Sequence, residues 1–305
     1  MVIVITGILA GMVAVFIKSP MDSYFDMGRR ADLTDTADTT VRRVARDIRL
    51  ALPNSARNPT DGSDLCVEFI PTKSGGRYRA APTSTGAGDI LDLTLSVTPF
   101  DDAFDMLWSN ALLPASSRIA AGDIVAVYND GYWGNAYTGS NAIKVISVCE
   151  PTELPDPPNP ACPNTPPKST KITFVDTATG APFERKQIPA ESPSWRFQVI
   201  PSAEHVVAYR CEGVGTAGGN GTGVLRRYGR TLSGAWNQPA TCADMTGSAT
   251  AATMMENVSS CSLKYEQPGS GTGLSRSGIL SISLEITQRG EPVRLYHQVQ
   301  VSNTP

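Results

Sequence analysis

The opening stretch MVIVITGILAGMVAVFI (Met1–Ile17) carries no charge and a single hydroxyl, Thr6, before Lys18 interrupts it. A helix of that composition is apolar on every side and belongs in lipid or among other helices. Sixteen residues from Val2 at 1.5 Å each cover roughly 24 Å, borderline against a ~30 Å hydrocarbon core. A cleavable signal peptide is not expected, because nothing basic precedes the run and Lys18-Ser19-Pro20 is no small-residue cleavage site. Helical periodicity continues past the apolar run. Ala37, Val41, Val44, Ala45, Ile48 and Leu52 fall on one face of a 3.6-residue helix, opposite Asp35, Asp38, Arg42, Arg46 and Arg49, and Pro53 ends the pattern. One helix over residues 1–52 is therefore expected, kinked near Pro20 and loosened at Gly28, with a part apolar all round (1–20) and an amphipathic part packed on a following domain (21–52). Gly7 and Gly11 form a Gly-x-x-x-Gly pair suited to close helix approach.

The 305 residues leave ample material for a core in the remaining segment, 53–305. A net charge of -3 excludes a broad nucleic-acid footprint, and the arginines at 42, 43, 46 and 49 are interleaved with Asp35, Asp38 and Asp47, as on a solvated or head-packing face. Only 18% of residues are charged while Gly (27) and Pro (23) are plentiful, a mix that suits a β-rich domain with long loops. Six cysteines without a Cys-x-x-Cys, and only two histidines, point to disulfides in an oxidising compartment rather than to zinc.

Strands are expected at 65–70, 89–97, 123–129, 142–148, 171–175, 195–200, 205–211, 223–228 and 258–265. The last two, 281–286 and 293–301, are joined by the turn TQRGEP, with His297 on the apolar face as a core residue. Residues 71–80 read as a hairpin connection, 100–107 as a short helix, and the segment around Cys242 as a loop. The Pro-dense insertion at about 150–168 cannot be regular structure. Cys149 and Cys162 bracket most of it, which favours a local disulfide among the fifteen connectivities that six cysteines allow. The fold class expected is α+β: a long N-terminal helix on an antiparallel β-rich head.

No catalytic constellation is legible. Gly-x-Ser-x-Gly, Walker and dinucleotide patterns are missing, and GVGTAGGNGTG reads as a connection, so the chain is not expected to be an enzyme or to carry a cofactor. Asp61 with Asp64, and Asp101 with Asp102 and Asp105, are weak calcium candidates without EF-hand spacing. The aromatics Tyr128, Tyr132, Trp133 and Tyr137 suit stacking on a sugar or partner, or folding onto their own sheet.

The segment VIVITGILAGMVAVFIKSPMDSYFDMGRRADLTDTADTTVRRVARDIRLALPNS resembles the N-terminal helix of type IV pilins and pseudopilins. Together with the tail GILSISLEITQRGEPVRLYHQVQVSNTP, it is similar to the large minor pilins of mannose-sensitive haemagglutinin (MSHA) pili. The resemblance implies a minor pilin subunit at or near a filament tip, assisting assembly, priming or adhesion, with other pilins as partners through the helix. It also implies a single-pass inner-membrane precursor with a periplasmic head, later part of a pilus, processed and methylated after cleavage by a prepilin peptidase. The family's Phe-Thr-Leu-x-Glu and basic leader are missing, and Met1 stands where the residue after that Glu would be, so a start inside a longer reading frame, or trimming, is expected. In pseudopilin heads the strands holding Cys211 and Cys261 resemble neighbours, which implies that bond and leaves Cys66 with Cys242. A type II secretion minor pseudopilin is the alternative within this architecture. A membrane-anchored periplasmic binding protein or hydrolase is the alternative outside it, and predicts a floppy tether where the amphipathic pattern lies.

Overall fold

A computed structural model of the chain describes residues 2–92, 101–131, 134–150, 169–174, 188, 190–232, 238–246, 250–267 and 276–305. Helix α1 (Val2–Arg49) runs 48 residues with Arg46 and Arg49 in its last turn, where cations favour the carbonyl end of the helix dipole. The chain leaves the helix to pair with 70–72: Leu52 N–H donates to the Ile70 carbonyl at 2.7 Å, and Thr72 N–H to that of Leu50 at 2.8 Å.

In chain order the strands are β1 (Cys66–Phe69), β2 (Ser74–Arg77), β3 (Ala103–Met106), β4 (Ile124–Val127), β5 (Ala142–Cys149), β6 (Thr170–Phe174), β7 (Arg196–Ile200), β8 (Val206–Glu212), β9 (Thr216–Ala217), β10 (Asn220–Gly221), β11 (Gly223–Arg230), β12 (Thr250–Glu266), β13 (Ser277–Gln288) and β14 (Glu291–Ser302). A short helix, α2 (Cys242–Thr246), precedes β12. The first six-stranded sheet has the order β1-β8-β11-β12-β13-β14, and the second β2-β7-β4-β5-β6-β3, with every ladder antiparallel.

The first sheet presents one face to α1. On β13, Leu280, Ile282, Leu284 and Ile286 are buried and belong to one core with Ala37, Val41, Val44, Ala45 and Ile48 of the helix. Burying Val41, Val44 and Ile48 contributes roughly 5–9 kcal/mol as an upper bound. The β13–β14 hairpin turns at Arg289-Gly290, both with positive φ (51° and 81°), as a two-residue type I′ turn requires.

The second sheet closes on itself. Tyr78, just past β2, bridges Met106 of β3, Leu107 N–H donates to Arg77 O at 3.0 Å, and Arg79 N–H to Asp105 O at 2.9 Å. The result is a six-stranded barrel filled by Tyr78, Phe104, Met106, Phe174 and Phe197, with Phe104 edge-on to Phe197 at a centroid distance of 5.2 Å. The whole barrel is inserted between β1 and β8, which are direct neighbours with Phe69 opposite Val207. Leu52, Ile70, Ile124, Ile200, Val206 and Tyr137 form the apolar seam between barrel and sheet.

Several local expectations are corrected. Residues 74–77 are a strand, not a hairpin connection, because Ser-Gly-Gly-Arg pairs with β7 so closely that a Cβ at Gly75 would lie 2.7 Å from Phe197 O. Residues 103–106 are a strand rather than part of the short helix expected over 100–107, because they pair with β6. Cys242 opens helix α2 instead of lying in a loop. Of the strand expected over 89–97, residues 90–92 are not in a ladder and 93–97 lie outside the described residues, as does 151–168 of the Pro-dense insertion. The expected single-pass anchor is also overturned: among the described residues no helix is long and apolar enough to cross a membrane. The uncharged run is about 24 Å long against a ~30 Å core, and the helix then continues into Lys18, Asp22 and Asp26.

Candidate helix interface

The two ends of α1 meet different surroundings. From Leu33 onward one face is buried: Leu33 is 9% exposed, Ala37 and Val44 are 0%, and Thr40 lies on the same face and donates to Met254 O at 3.2 Å. Val41, Ala45, Ile48 and, beyond the helix, Leu52 are buried too. The charged face stays in solvent, where Arg42 pairs with Asp38 at 2.7 Å and Arg43, Arg46 and Arg49 are exposed.

A polar clamp fixes this end in register. The Tyr209 hydroxyl on β8 donates to Asp47 Oδ2 at 2.6 Å, and Arg227 Nε on β11 donates to the same oxygen at 3.1 Å. Arg227 is itself held by Glu204 in a two-pronged pair at 2.7 and 2.6 Å. Burial pushes the Tyr209 phenol above its ordinary range, with the Asp47 carboxylate adding to the effect, so the phenol stays a donor to Asp47. The clamp was not legible beforehand, since Asp47, Glu204, Tyr209 and Arg227 share no local motif.

The other end has no such cover. Val2, Ile3, Val4, Ile5, Ile8, Leu9 and Met12 are 54–86% exposed, and further along Tyr24 and Met27 are exposed as well. At 100° per residue those seven positions point in every direction, so one partner surface cannot cover them all. Gly7 and Gly11 sit in this run, and a Cβ on either would meet nothing within 4 Å. The chain's own packing therefore does not require glycine at those places. Pro20 lies within α1.

Below the sheet, Glu68 on β1 is fully buried and central to a charge cluster. Arg57 Nε donates to Glu68 Oε1 at 2.8 Å, and Arg230 Nη2 donates to Oε2 at 2.7 Å. The Arg57 guanidinium lies 3.5 Å from the ring centroid of Tyr137, whose hydroxyl donates to Ser55 O at 2.8 Å. Tyr137 is thus folded onto its own head, Tyr128 is partly buried, and Tyr132 and Trp133 lie outside the described residues.

Disulfides join Cys66 to Cys242 and Cys211 to Cys261, the first tying β1 to α2 and the second β8 to β12. Cys149 is disulfide-bonded, and Cys162 lies outside the described residues. The carboxylates weighed for calcium serve the protein itself. Asp61 accepts from Ser63 N–H at 2.9 Å, Asp64 from the Ser262 hydroxyl at 2.6 Å, Asp101 from Asp92 N–H at 2.7 Å and Asp105 from Asp89 N–H at 3.0 Å. Asp102 is exposed beside them, and among the described residues no group of three or more His, Cys, Asp or Glu is placed to hold a metal ion. His205 Nδ1 accepts from Leu232 N–H at 3.0 Å, and His297 is half-buried on the helix-facing side of β14. No protein-family model, curated protein or solved structure matches the chain.

Proposed function

We propose that the chain is a non-enzymatic filament subunit of the type IV pilin kind, a minor pilin whose helix end packs among the equivalent helices of other subunits. The observation that carries this reading is the contrast along α1: seven large apolar side chains exposed on all sides at the start, and a stripe locked to the head at the end. Full burial of an aliphatic side chain is worth roughly 1.5–3 kcal/mol, so covering those seven from their present exposure yields roughly 7–14 kcal/mol. Because they point in every direction, the fitting occupant is a ring of several helices. Gly7 and Gly11 supply close-approach points that the isolated chain leaves unused. The spine-and-head geometry and the resemblance of residues 2–55 to pilin helices support the same reading.

The test uses the full chain, in which no cysteine among the described residues carries a free thiol. A single cysteine at Ile8 (Ile8→Cys) is expected to give disulfide-linked dimers under mild oxidation, while Arg43→Cys, outside the apolar end, is not. Ile5→Lys with Leu9→Lys should shift sedimentation from oligomer to monomer. A wild-type chain that stays monomeric at high concentration, with no cross-link at position 8, would overturn the assignment.

A further inference from the structure

The outer wall of the barrel carries an unexpected row. Arg77 on β2 stands directly opposite Arg196 on β7, and on its other side Leu107 N–H bonds to Arg77 O, so Arg196, Arg77 and Leu107 line up across three neighbouring strands. Directly opposed like charges on a sheet repel one another. Both arginines are exposed, and neither makes an ion pair or side-chain hydrogen bond among the described residues. Next to them stand two tryptophans: Trp108, 61% exposed, and Trp195, 47% exposed. Trp195 has φ +53°, a region that a bulky side chain rarely adopts. It is held there by bonds from its own N–H to Ser192 O (2.9 Å) and from Tyr78 N–H to its carbonyl (2.9 Å). Residues held in strained backbone conformations cluster at active sites and ligand clamps. At Gly75 the same strand carries no side chain beyond the arginines, so the wall there is low.

We infer that this wall is a binding site for an acidic saccharide. Guanidinium forks match a carboxylate or sulfate in two-pronged fashion, and an anion placed between Arg77 and Arg196 relieves their mutual repulsion. The indole faces of Trp108 and Trp195 offer flat apolar surface to the C–H faces of pyranose rings. An apolar protein partner fits poorly, because it would have to desolvate two uncompensated cations. Nucleic acid fits poorly as well, since it is gripped by many basic groups and this chain has a net charge of -3. The inference is independent of how α1 packs.

The experiment titrates the full chain with galacturonate oligosaccharides and heparin-derived oligosaccharides, with a neutral maltooligosaccharide and an oligothymidylate as comparisons, read by calorimetry and tryptophan fluorescence. Saturable binding to at least one acidic saccharide is expected, with the neutral one about tenfold weaker or more. Arg77→Gln with Arg196→Gln should lower affinity about tenfold or more, and Trp195→Ala should weaken binding and reduce the fluorescence response. If Trp195→Ala misfolds, Arg77→Lys with Arg196→Lys serves instead: it keeps the charge, loses the fork, and should still weaken binding severalfold. Absence of binding to both acidic probes, preference for the oligothymidylate, or unchanged affinity in the arginine variants would overturn the assignment.

Discussion

Glu68 is completely buried, and its two oxygens face Arg57 and Arg230, whose side chains are only 16% and 13% exposed. Replacing it (Glu68→Ala) leaves two cations without this counter-charge in a place where water offers little relief. Burial alone already pulls the Arg230 guanidinium below its ordinary range, with Glu68 opposing that shift. Breaking a buried ion pair from one side costs about 3–5 kcal/mol, a large share of the ~5–15 kcal/mol that holds a domain together. With a urea slope of about 2–3 kcal/mol/M, the unfolding midpoint should fall by roughly 1–2.5 M. Arg42→Ala, which removes an exposed pair with Asp38, should leave the midpoint where it was. The physical claim is that the penalty comes from stranded charge, not from lost net attraction. The combined variant Arg57→Met, Glu68→Leu, Arg230→Met should therefore recover most of the loss. Urea unfolding followed by circular dichroism decides the matter: an unchanged midpoint for Glu68→Ala, or a triple variant as weak as the single one, would refute the reasoning.

Asp47→Ala removes the shared acceptor of Tyr209 and Arg227 and should cost about 1–3 kcal/mol, seen as faster amide exchange over residues 33–49. Reduction by dithiothreitol should lower the melting temperature, with Cys66→Ser and Cys242→Ser together costing about 2–5 kcal/mol because that bond closes a separation of 176 residues. Burial raises Asp101 to about 6, and Asp89 and Asp102 add to the rise against two backbone N–H bonds that oppose it. A folded pKa above the unfolded 3.8 means that the native state holds the proton more tightly. Its contribution is full below pH 4 and is lost as pH climbs through 6. Asp101→Asn should accordingly flatten the stability profile between pH 4 and 6, measured by thermal melts across that window.

Much of the first sheet was readable from residue spacing, because period-two alternation in β13 and β14 and an Arg-Gly turn depend only on local sequence. The helix stripe was readable for the same reason, as a 3.6-residue pattern with Leu52 at its end. The barrel was not. Its closing contact joins Tyr78 to Met106, two residues with no turn between them, and Ser74-Gly75-Gly76-Arg77 has the composition of a loop until β7 approaches it. β12 begins Thr-Ala-Ala-Thr-Met-Met-Glu, rich in good helix formers that pairing with β11 makes extended. The clamp and the Glu68 cluster were invisible for a related reason. Each gathers side chains from distant strands, so no window of sequence contains them. The aromatic cluster legible in the sequence lies at Tyr128–Tyr137, whereas the exposed indoles among the described residues stand at 108 and 195.

Because the barrel leaves the sheet after Phe69 and returns at Val207, its two attachment points sit side by side on neighbouring strands. A segment tethered in that way can be lengthened or exchanged at its far end while the helix and its supporting strands keep their pairing, provided the seam over Leu52, Ile70 and Val206 stays covered. Variation of what the head touches is thereby uncoupled from the geometry that positions the spine.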